Sequence, residues 1–541
     1  MHDTPPVPPA RVTRDSVAVG LDLGTSSLKG VAVDGSGAVL ARASAGYETS
    51  RTSPGCAEQD PSAWLAALDA VVAELAPAVD VARWDAIGLS AMIPTLVAAE
   101  GDLRPIGRAI TWEDGRAEAQ GDHLREAIGG DALYARTGQW VDGRYLLPVV
   151  MRLRDVGDPR GMAPVLAGAK DWLFAQLTGE LATDPSTATG FACYDLAAER
   201  WDVEILDVAL GGRAGRPTLP EIRPSVSSAA LTLAAADRLG LPSGIPVVLG
   251  AADSVLAARG LGVTQAGRVA YVAGTSTVIM GIADRPVVDP GHRFLVTPMD
   301  QPGAYGLEMD LVATGSAVRW LAGLLGLPEG EEADVWRIAE AVGPGADGVQ
   351  FLPYLGPGEQ GALWDPSLRG SLLGLTLAHG RPHIARALLD GITLESRRCT
   401  SILEAVAGTR GEVVMSGPSV RSKAVVHALA DATGRRVRWS ADPDHPASAW
   451  GAAALALEAI GTGSPQVPGL AAGIAPDATA ADAWSLLWDR HEAARLALGP
   501  VHYPAPESEI RPAQPGTPAE THPAQPGTPA ETYRTEEASH R

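Results

Sequence analysis

A short turn rich in glycine and hydroxyls occurs twice in the chain, each time between two apolar runs. The first copy is Asp22-Leu23-Gly24-Thr25-Ser26-Ser27-Leu28-Lys29 within residues 17–34, and the second is Gly274-Thr275-Ser276-Thr277 within residues 268–284. Gly24, Thr25, Ser26 and Asp34 recur in register as Gly274, Thr275, Ser276 and Asp284. An apolar run, a polar turn and a second apolar run predict a β-hairpin. Glycine lets backbone amides approach an anion closely, and consecutive N–H groups beside hydroxyls form a concavity suited to phosphate oxygens. One such turn is ordinary hairpin chemistry. Two copies, one in each half of the chain, favour phosphate binding.

Three further stretches carry chemistry. Ala251-Ala252-Asp253-Ser254 follows the apolar run Val247-Val248-Leu249-Gly250, and an acid just after a buried strand of an α/β fold sits where ligands bind. A helix cap is the plainer reading of Asp253. Ala109-Ile110-Thr111-Trp112-Glu113-Asp114-Gly115-Arg116 reads as a strand ending in a polar loop whose Trp112, Asp114 and Arg116 could face a ligand. Strand Glu412-Val413-Val414-Met415 runs into Ser416-Gly417-Pro418-Ser419 ahead of a helix starting near Ser422, and a strand-to-helix loop suits a nucleotide or phosphate.

The elements that must position these residues alternate in type. Apolar spacing predicts a helix after Asp60, a strand over 86–90, a helix over 169–178 stopped by Gly179, a long buried helix from His383, and a last helix over 448–458 able to pack closely through alanine and glycine. This pattern is α/β. At 541 residues the chain exceeds a single core. The expected division is a disordered N-terminus over 1–15, domains over 16–245 and 246–500, and a disordered tail over 501–541, where a Pro-rich decapeptide repeats. The formal charge of −21 argues against nucleic acid or an anionic membrane as partner. Cys56, Cys193 and Cys399 lie far apart and suggest structural thiols. With no secretory signal and no spanning run, a soluble cytoplasmic protein is expected.

In their order, these motifs resemble those of the FGGY carbohydrate kinases, the xylulokinases most closely, over residues 17–493. Asp22 to Ser26 is similar to the family's first phosphate motif, Gly274 to Ser276 to its second, and Trp112 to Arg116 to its Trp-Asn-Asp-Gly-Arg sugar loop. Lys170-Asp171-Trp172-Leu173 with Leu177-Thr178-Gly179, and then Phe351 to Leu355, Trp364-Asp365-Pro366 and Gly370 to Leu375, match its later signatures. The resemblance implies two ribonuclease-H-like domains of the actin and hexokinase type, with ATP and sugar in the cleft between them. It implies Asp253 as the base that takes the proton of the attacking hydroxyl, and Asp22 as the partner of Mg²⁺, through water. It further implies sugar contacts from Trp112, Asp114, Arg116, Met92 and Ile93. Nucleotide contacts would come from Gly24, Thr25, Ser26, Ser27, Lys29, Gly274, Thr275, Ser276, Gly417, Pro418 and Ser419. A homodimer stays open.

The chain departs from the xylulokinase pattern in two loops that bear on the acceptor and the nucleotide. Where xylulokinases carry Gly-Gln-Met-His-Gly the chain has Ala91-Met92-Ile93-Pro94-Thr95, and where they carry Gly-Gly-Gly it has Gly417-Pro418-Ser419. The expected activity is ATP-dependent phosphorylation of a ketopentose, D-xylulose favoured. The alternatives are another acceptor (gluconate, ribulose or a sugar alcohol) or a sugar-binding regulator without turnover.

Overall fold

The run that begins at Val17 is buried at every position because it forms the centre of a sheet covered on both faces. The computed structural model describes residues 16–498, except 213–215, 357–361, 366, 367, 443 and 468. The segments expected to be disordered, 1–15 and 501–541, and Pro366 of the Trp-Asp-Pro motif lie outside the described residues.

The first sheet contains β1 (Val17–Leu23), β2 (Ser27–Asp34), β3 (Val39–Gly46), β4 (Trp84–Ala91), β5 (Ser228–Ala230) and β6 (Pro246–Ala252), in the order β5-β6-β4-β1-β2-β3. Strands β1, β2 and β3 form an antiparallel meander, and β4 and β6 continue the sheet in parallel. The second sheet contains β7 (Val269–Ala273), β8 (Thr277–Ala283), β9 (Leu295–Pro298), β10 (Tyr305–Leu311), β11 (Val413–Ser416) and β12 (Val437–Trp439), in the order β9-β10-β8-β7-β11-β12. Here β7, β8 and β10 are the antiparallel meander and β11 and β12 the parallel extension. Apart from the added edge strands β5 and β9, both sheets run third-second-first-fourth-fifth, the ribonuclease-H-like arrangement. Both glycine-hydroxyl turns are the hairpin turns between a sheet's first and second strands.

The helices that matter for the site are α1 (Pro61–Ala78), α2 (Ala169–Thr178), α3 (Asp253–Gly260), α4 (Gly315–Leu324), α5 (Arg381–Ala407), α6 (Lys423–Thr433), α7 (Ala447–Ala459) and α8 (Ala481–Leu498). Asp60 caps α1 by accepting Ser62 N–H at 2.9 Å, and Gly179 ends α2 in the left-handed conformation. Helices α1 and α2 cover the outer face of the first sheet, and α5 and α6 cover that of the second. Between the sheets lie α3 and α7, packed against Ala18, Val31 and Ala86 of the first and Ala270, Met280 and Val414 of the second. Among the described residues no helix is long and apolar enough to cross a membrane. All three cysteines are buried and none is disulfide-bonded.

Three expectations need correction. Strand β6 pairs parallel to β4, so Pro246 opens a strand of the first sheet, and the division expected at 245/246 moves to the 261–268 connection. The strand expected before Trp112 spans only Ala109–Ile110, because the following residues turn away to bond the 55–58 segment. Helix α7 is not the last: α8 follows, with Trp484 and His491 buried.

The alanine-rich composition of α7 has a geometric cause. A Cβ added at Gly20 would stand 1.8 Å from the carbonyl oxygen of Ala449, and one at Gly88 would stand 2.1 Å from that of Ala452. Gly451 meets α3 in the same way, 2.0 Å from Leu256 O. Backbone therefore packs on backbone, and no side chain can yield. Gly88→Ala is expected to lower stability by about 3 kcal/mol, the upper part of the overpacking range. Urea unfolding of the full chain measures it. Gly101→Ala, where an added Cβ meets nothing within 4 Å, serves as the neutral control.

Candidate active site

Alternation along β1 decides where Asp22 points. Val17, Val19, Leu21 and Leu23 belong to the core beneath α1, so Ala18, Gly20 and Asp22 share the opposite face, toward α7 and the second sheet. Asp22 lies two residues before the turn, across from Lys29 on β2 and Ser90 on β4. Ser90 donates its hydroxyl to Asp22 at 2.7 Å. Burial raises the Asp22 carboxyl above its ordinary range, opposed by Lys29 and by that hydrogen bond.

Asp253 is the first residue of α3, directly after β6. A buried chain of bonds fixes its backbone. Ala252 N–H donates to Ser186 Oγ at 2.9 Å, Ser186 Oγ donates to Asp184, and Asp184 Oδ1 lies 3.0 Å from Lys170 Nζ. Lys170 and Asp184 have fully buried side chains. Burial first, then the charge of Asp22, pushes the Asp253 carboxyl up to about 7, against the hydrogen bond from Ser254 N–H.

The second sheet brings residues to this site that the sequence reading missed. Ser254 Oγ donates to Glu308 Oε2 at 3.0 Å. Leu307, Met309 and Leu311 of β10 face the core of their own sheet, so Glu308 and Asp310 face the other way, toward Asp253. Burial and Asp310 hold the Glu308 carboxyl well above its usual range. Burial brings Asp310 up to about 6, against the charge of Arg144. Arg144 is forked onto Asp142, with Nε at 2.9 and 3.0 Å and Nη2 at 2.5 Å from the carboxylate oxygens. A signal for the β10 pair existed: Leu307-Glu308-Met309-Asp310-Leu311 alternates apolar and acidic. Nothing local marked Arg144 for the site: its salt bridge is to Asp142, two residues away, and the site carboxylate it faces, Asp310, is distant in sequence.

The two turns are held from behind and stay open in front. At the first, Gly24 N–H bonds Ser27 O at 3.1 Å, Tyr47 OH donates to Gly24 O, and Gln59 Nε2 donates to Thr25 O at 2.7 Å. Trp112 Nε1 donates to Thr25 Oγ1 at 3.0 Å, tying the expected sugar loop to the expected phosphate turn. Ser26 and Lys29 are exposed, Thr25 and Ser27 half-buried. Asp114 and Arg116, for which the resemblance implies sugar contacts, are bonded to one another and to the neighbouring 57–58 segment. Asp114 is buried and accepts Ala57 N–H at 2.9 Å and the Arg116 guanidinium, and Arg116 also binds Glu58 at 2.7 Å. They fold the loop onto its neighbour. Met92 is buried, its N–H bonded to Leu23 O at 3.0 Å, and Ile93 is half-buried against the α3 and α7 layer.

At the second turn Gly274 N–H bonds Ser276 O at 2.8 Å, and Ser316 N–H of α4 bonds Thr275 O at 3.0 Å. The expected nucleotide loop arrives beside it. Gly417 has φ of +98°, and a Cβ there would stand 1.9 Å from Ala273 O, the residue just before the turn. Only glycine fits this approach. Pro418 opens a short 3-10 turn, and Ser422 then caps α6, accepting Val425 N–H at 3.4 Å. Ser419 lines a cavity of about 30 Å³ with Tyr271, Ala273, Thr277 and Met415. An open glycine-hydroxyl turn beside this glycine cradle fits a nucleotide's phosphates. Asp22, a buried carboxylate two residues before the first turn, is an oxygen donor of the kind a hard divalent cation takes through water.

Comparison with known proteins agrees with this geometry. Residues 17–260 match the profile of the FGGY family of carbohydrate kinases, N-terminal domain, and residues 269–460 match its C-terminal domain. The chain belongs to the FGGY family of carbohydrate kinases. Its similarity to a gluconokinase of Bacillus subtilis is 29% identity over 70% of this chain and 75% of that one. A glycerol kinase of Gloeobacter violaceus is 34% identical over 77% of this chain and 83% of that one. The crystal structure of xylulose kinase from Rhodospirillum rubrum superposes with a TM-score of 0.81 at 30% identity, covering 90% of this chain and all (100%) of that one. This FGGY protein is accordingly a sugar kinase, a phosphotransferase acting on an alcohol group.

The cradle gives a test. Gly417→Ala would push the expected nucleotide loop off Ala273; if that loop receives the nucleotide, KM for ATP rises roughly tenfold, about 1.4 kcal/mol of binding. KM for the acceptor should stay within about twofold, since the change lies on the far side of the second turn. Initial-rate kinetics with each substrate varied separately measure both.

Proposed function

We propose that the protein transfers the γ-phosphoryl group of ATP to a hydroxyl of a ketopentose, D-xylulose favoured, as a cytoplasmic enzyme. The observation that carries this reading is the Asp253 carboxylate, fixed at the start of α3 amid Asp22, Glu308 and Asp310 and raised to about 7. A base poised near the working pH suits proton abstraction from a hydroxyl.

ATP would supply the phosphoryl group, and Mg²⁺, which Asp22 would hold through water, would neutralise the charge on its phosphates. Asp253 accepts the proton of the acceptor hydroxyl at a carboxylate oxygen. The N–H groups and hydroxyls of Gly24 to Ser27 and Gly274 to Ser276, with Lys29, bind the phosphates, and Gly417 to Ser419 receive the adenosine. Trp112 keeps the first turn in position through Thr25. Closing the cleft excludes water from the transfer.

Gluconate, ribulose and sugar alcohols remain the alternative acceptors, and relatives named for gluconate and glycerol keep them open. The test is ADP release with Mg-ATP against ketoses, aldonates and polyols. Turnover with D-xylulose is expected. Turnover of none, with sugar binding still measurable, would replace this reading by a non-catalytic binding protein.

A further inference from the structure

Arg144 and Asp310 reach the site from opposite lobes. The loop that carries Arg144 is docked on the second sheet. Val296 N–H of β9 bonds Gly138 O at 2.8 Å, Gln139 Nε2 donates to Val296 O at 2.9 Å, and Tyr145 OH donates to Gln139 Oε1 at 2.9 Å. Strand β9 pairs with β10, the strand of Glu308 and Asp310. Asp310 itself lies opposite Val278, two residues past Ser276 of the second turn.

Each group has unused capacity. Arg144 spends Nε and Nη2 on Asp142, and among the described residues its Nη1 has no hydrogen-bond partner. Asp310 Oδ1 is buried without one. A buried acceptor left alone costs stability until a donor arrives. A hydroxyl both accepts and donates, so two adjacent hydroxyls could take an N–H from Arg144 and give an O–H to Asp310.

We propose that Arg144 and Asp310 are specificity-determining residues that read a vicinal diol on the acceptor. This rests on the kinase reading and names the groups that recognise the acceptor at the same site. An acceptor with adjacent hydroxyls beyond the phosphorylated one fits, and one lacking the pair leaves the two side chains unsatisfied.

The experiment measures kcat and KM for D-xylulose, D-arabitol, glycerol and 1,3-propanediol, which has no adjacent pair of hydroxyls, with Mg-ATP in the full-length protein and in Asp310→Asn and Arg144→Gln. For the unaltered protein kcat/KM for the best vicinal acceptor should exceed that for 1,3-propanediol at least about tenfold. Each variant should raise KM for the vicinal acceptor about tenfold, narrow its advantage over 1,3-propanediol, and leave KM for ATP within about twofold. An advantage unmoved in both variants overturns the inference while leaving the kinase reading intact. Turnover of no compound defeats the kinase reading and this inference with it.

Discussion

Asp253→Asn is expected to lower kcat with the best acceptor about 10³-fold, within the range assigned to a lost general base. ATP affinity should change little. The side chain keeps its size and its place at the start of α3, so the protein should fold, and ADP release with isothermal titration of ATP separates the two quantities. The same variant carries an opposite effect on stability. In the folded, ligand-free protein the Asp253 carboxyl is pushed up to about 7 from 3.8, so the folded state holds this proton more tightly than the unfolded chain. Its contribution is fully present below about pH 4 and lost as pH rises through about 7. Asparagine has no proton to lose. The ligand-free variant should match the parent near pH 4 and exceed it at pH 8, by on the order of 1–2 kcal/mol after solvent screening. Thermal unfolding at both pH values reads this directly. A variant less active and more stable at pH 8 is the signature of a carboxylate kept for chemistry. A variant that loses stability at pH 8 would return Asp253 to the role of a helix cap.

The hairpin turns and Asp253 were legible because their signals are local. A glycine-hydroxyl turn between apolar runs, or an acid after a buried strand, is complete within ten or so residues. Asp114 and Arg116 show the limit of a local signal: the spacing that brings them together in a loop also lets them bind one another, and only Ala57 and Glu58 reveal it. Glu308, Asp310 and Arg144 needed two further facts, which face of β10 turns to the first lobe and which loop docks on β9. Neither lies in a local pattern. Gly20 and Gly88 could have been read as places of close backbone approach, but not that one helix, α7, approaches both. The division at 245/246 failed because two prolines mark a break in the chain without saying which sheet the next strand joins.

Lys170→Met is expected to cost 3–5 kcal/mol, the range for removing one partner of a buried ion pair, and to lower kcat as well. Lys170 Nζ lies 3.0 Å from Asp184, 3.6 Å from Asp171 and 3.2 Å from the carbonyl of Leu249, with all three charged side chains fully buried. Methionine would fill the volume and leave two carboxylates without a countercharge. Asp184 would then draw in water or turn away, and either change reaches Ser186, which donates to Asp184 and accepts Ala252 N–H. Asp253 is the next residue. A shift of about 1 Å in a reacting group can cost on the order of 100-fold in rate, so kcat should fall with little change in KM for ATP. Urea unfolding and initial rates of the full chain separate the two effects. The double variant Lys170→Met with Asp184→Asn removes a charge from each side. It should recover part of the stability but not the rate, because an amide oxygen holds Ser186 less firmly than a carboxylate. Equal kcat in the single variant and the parent would mean that β6 needs no such support. In that case Lys170 would stabilise the first lobe without positioning the base.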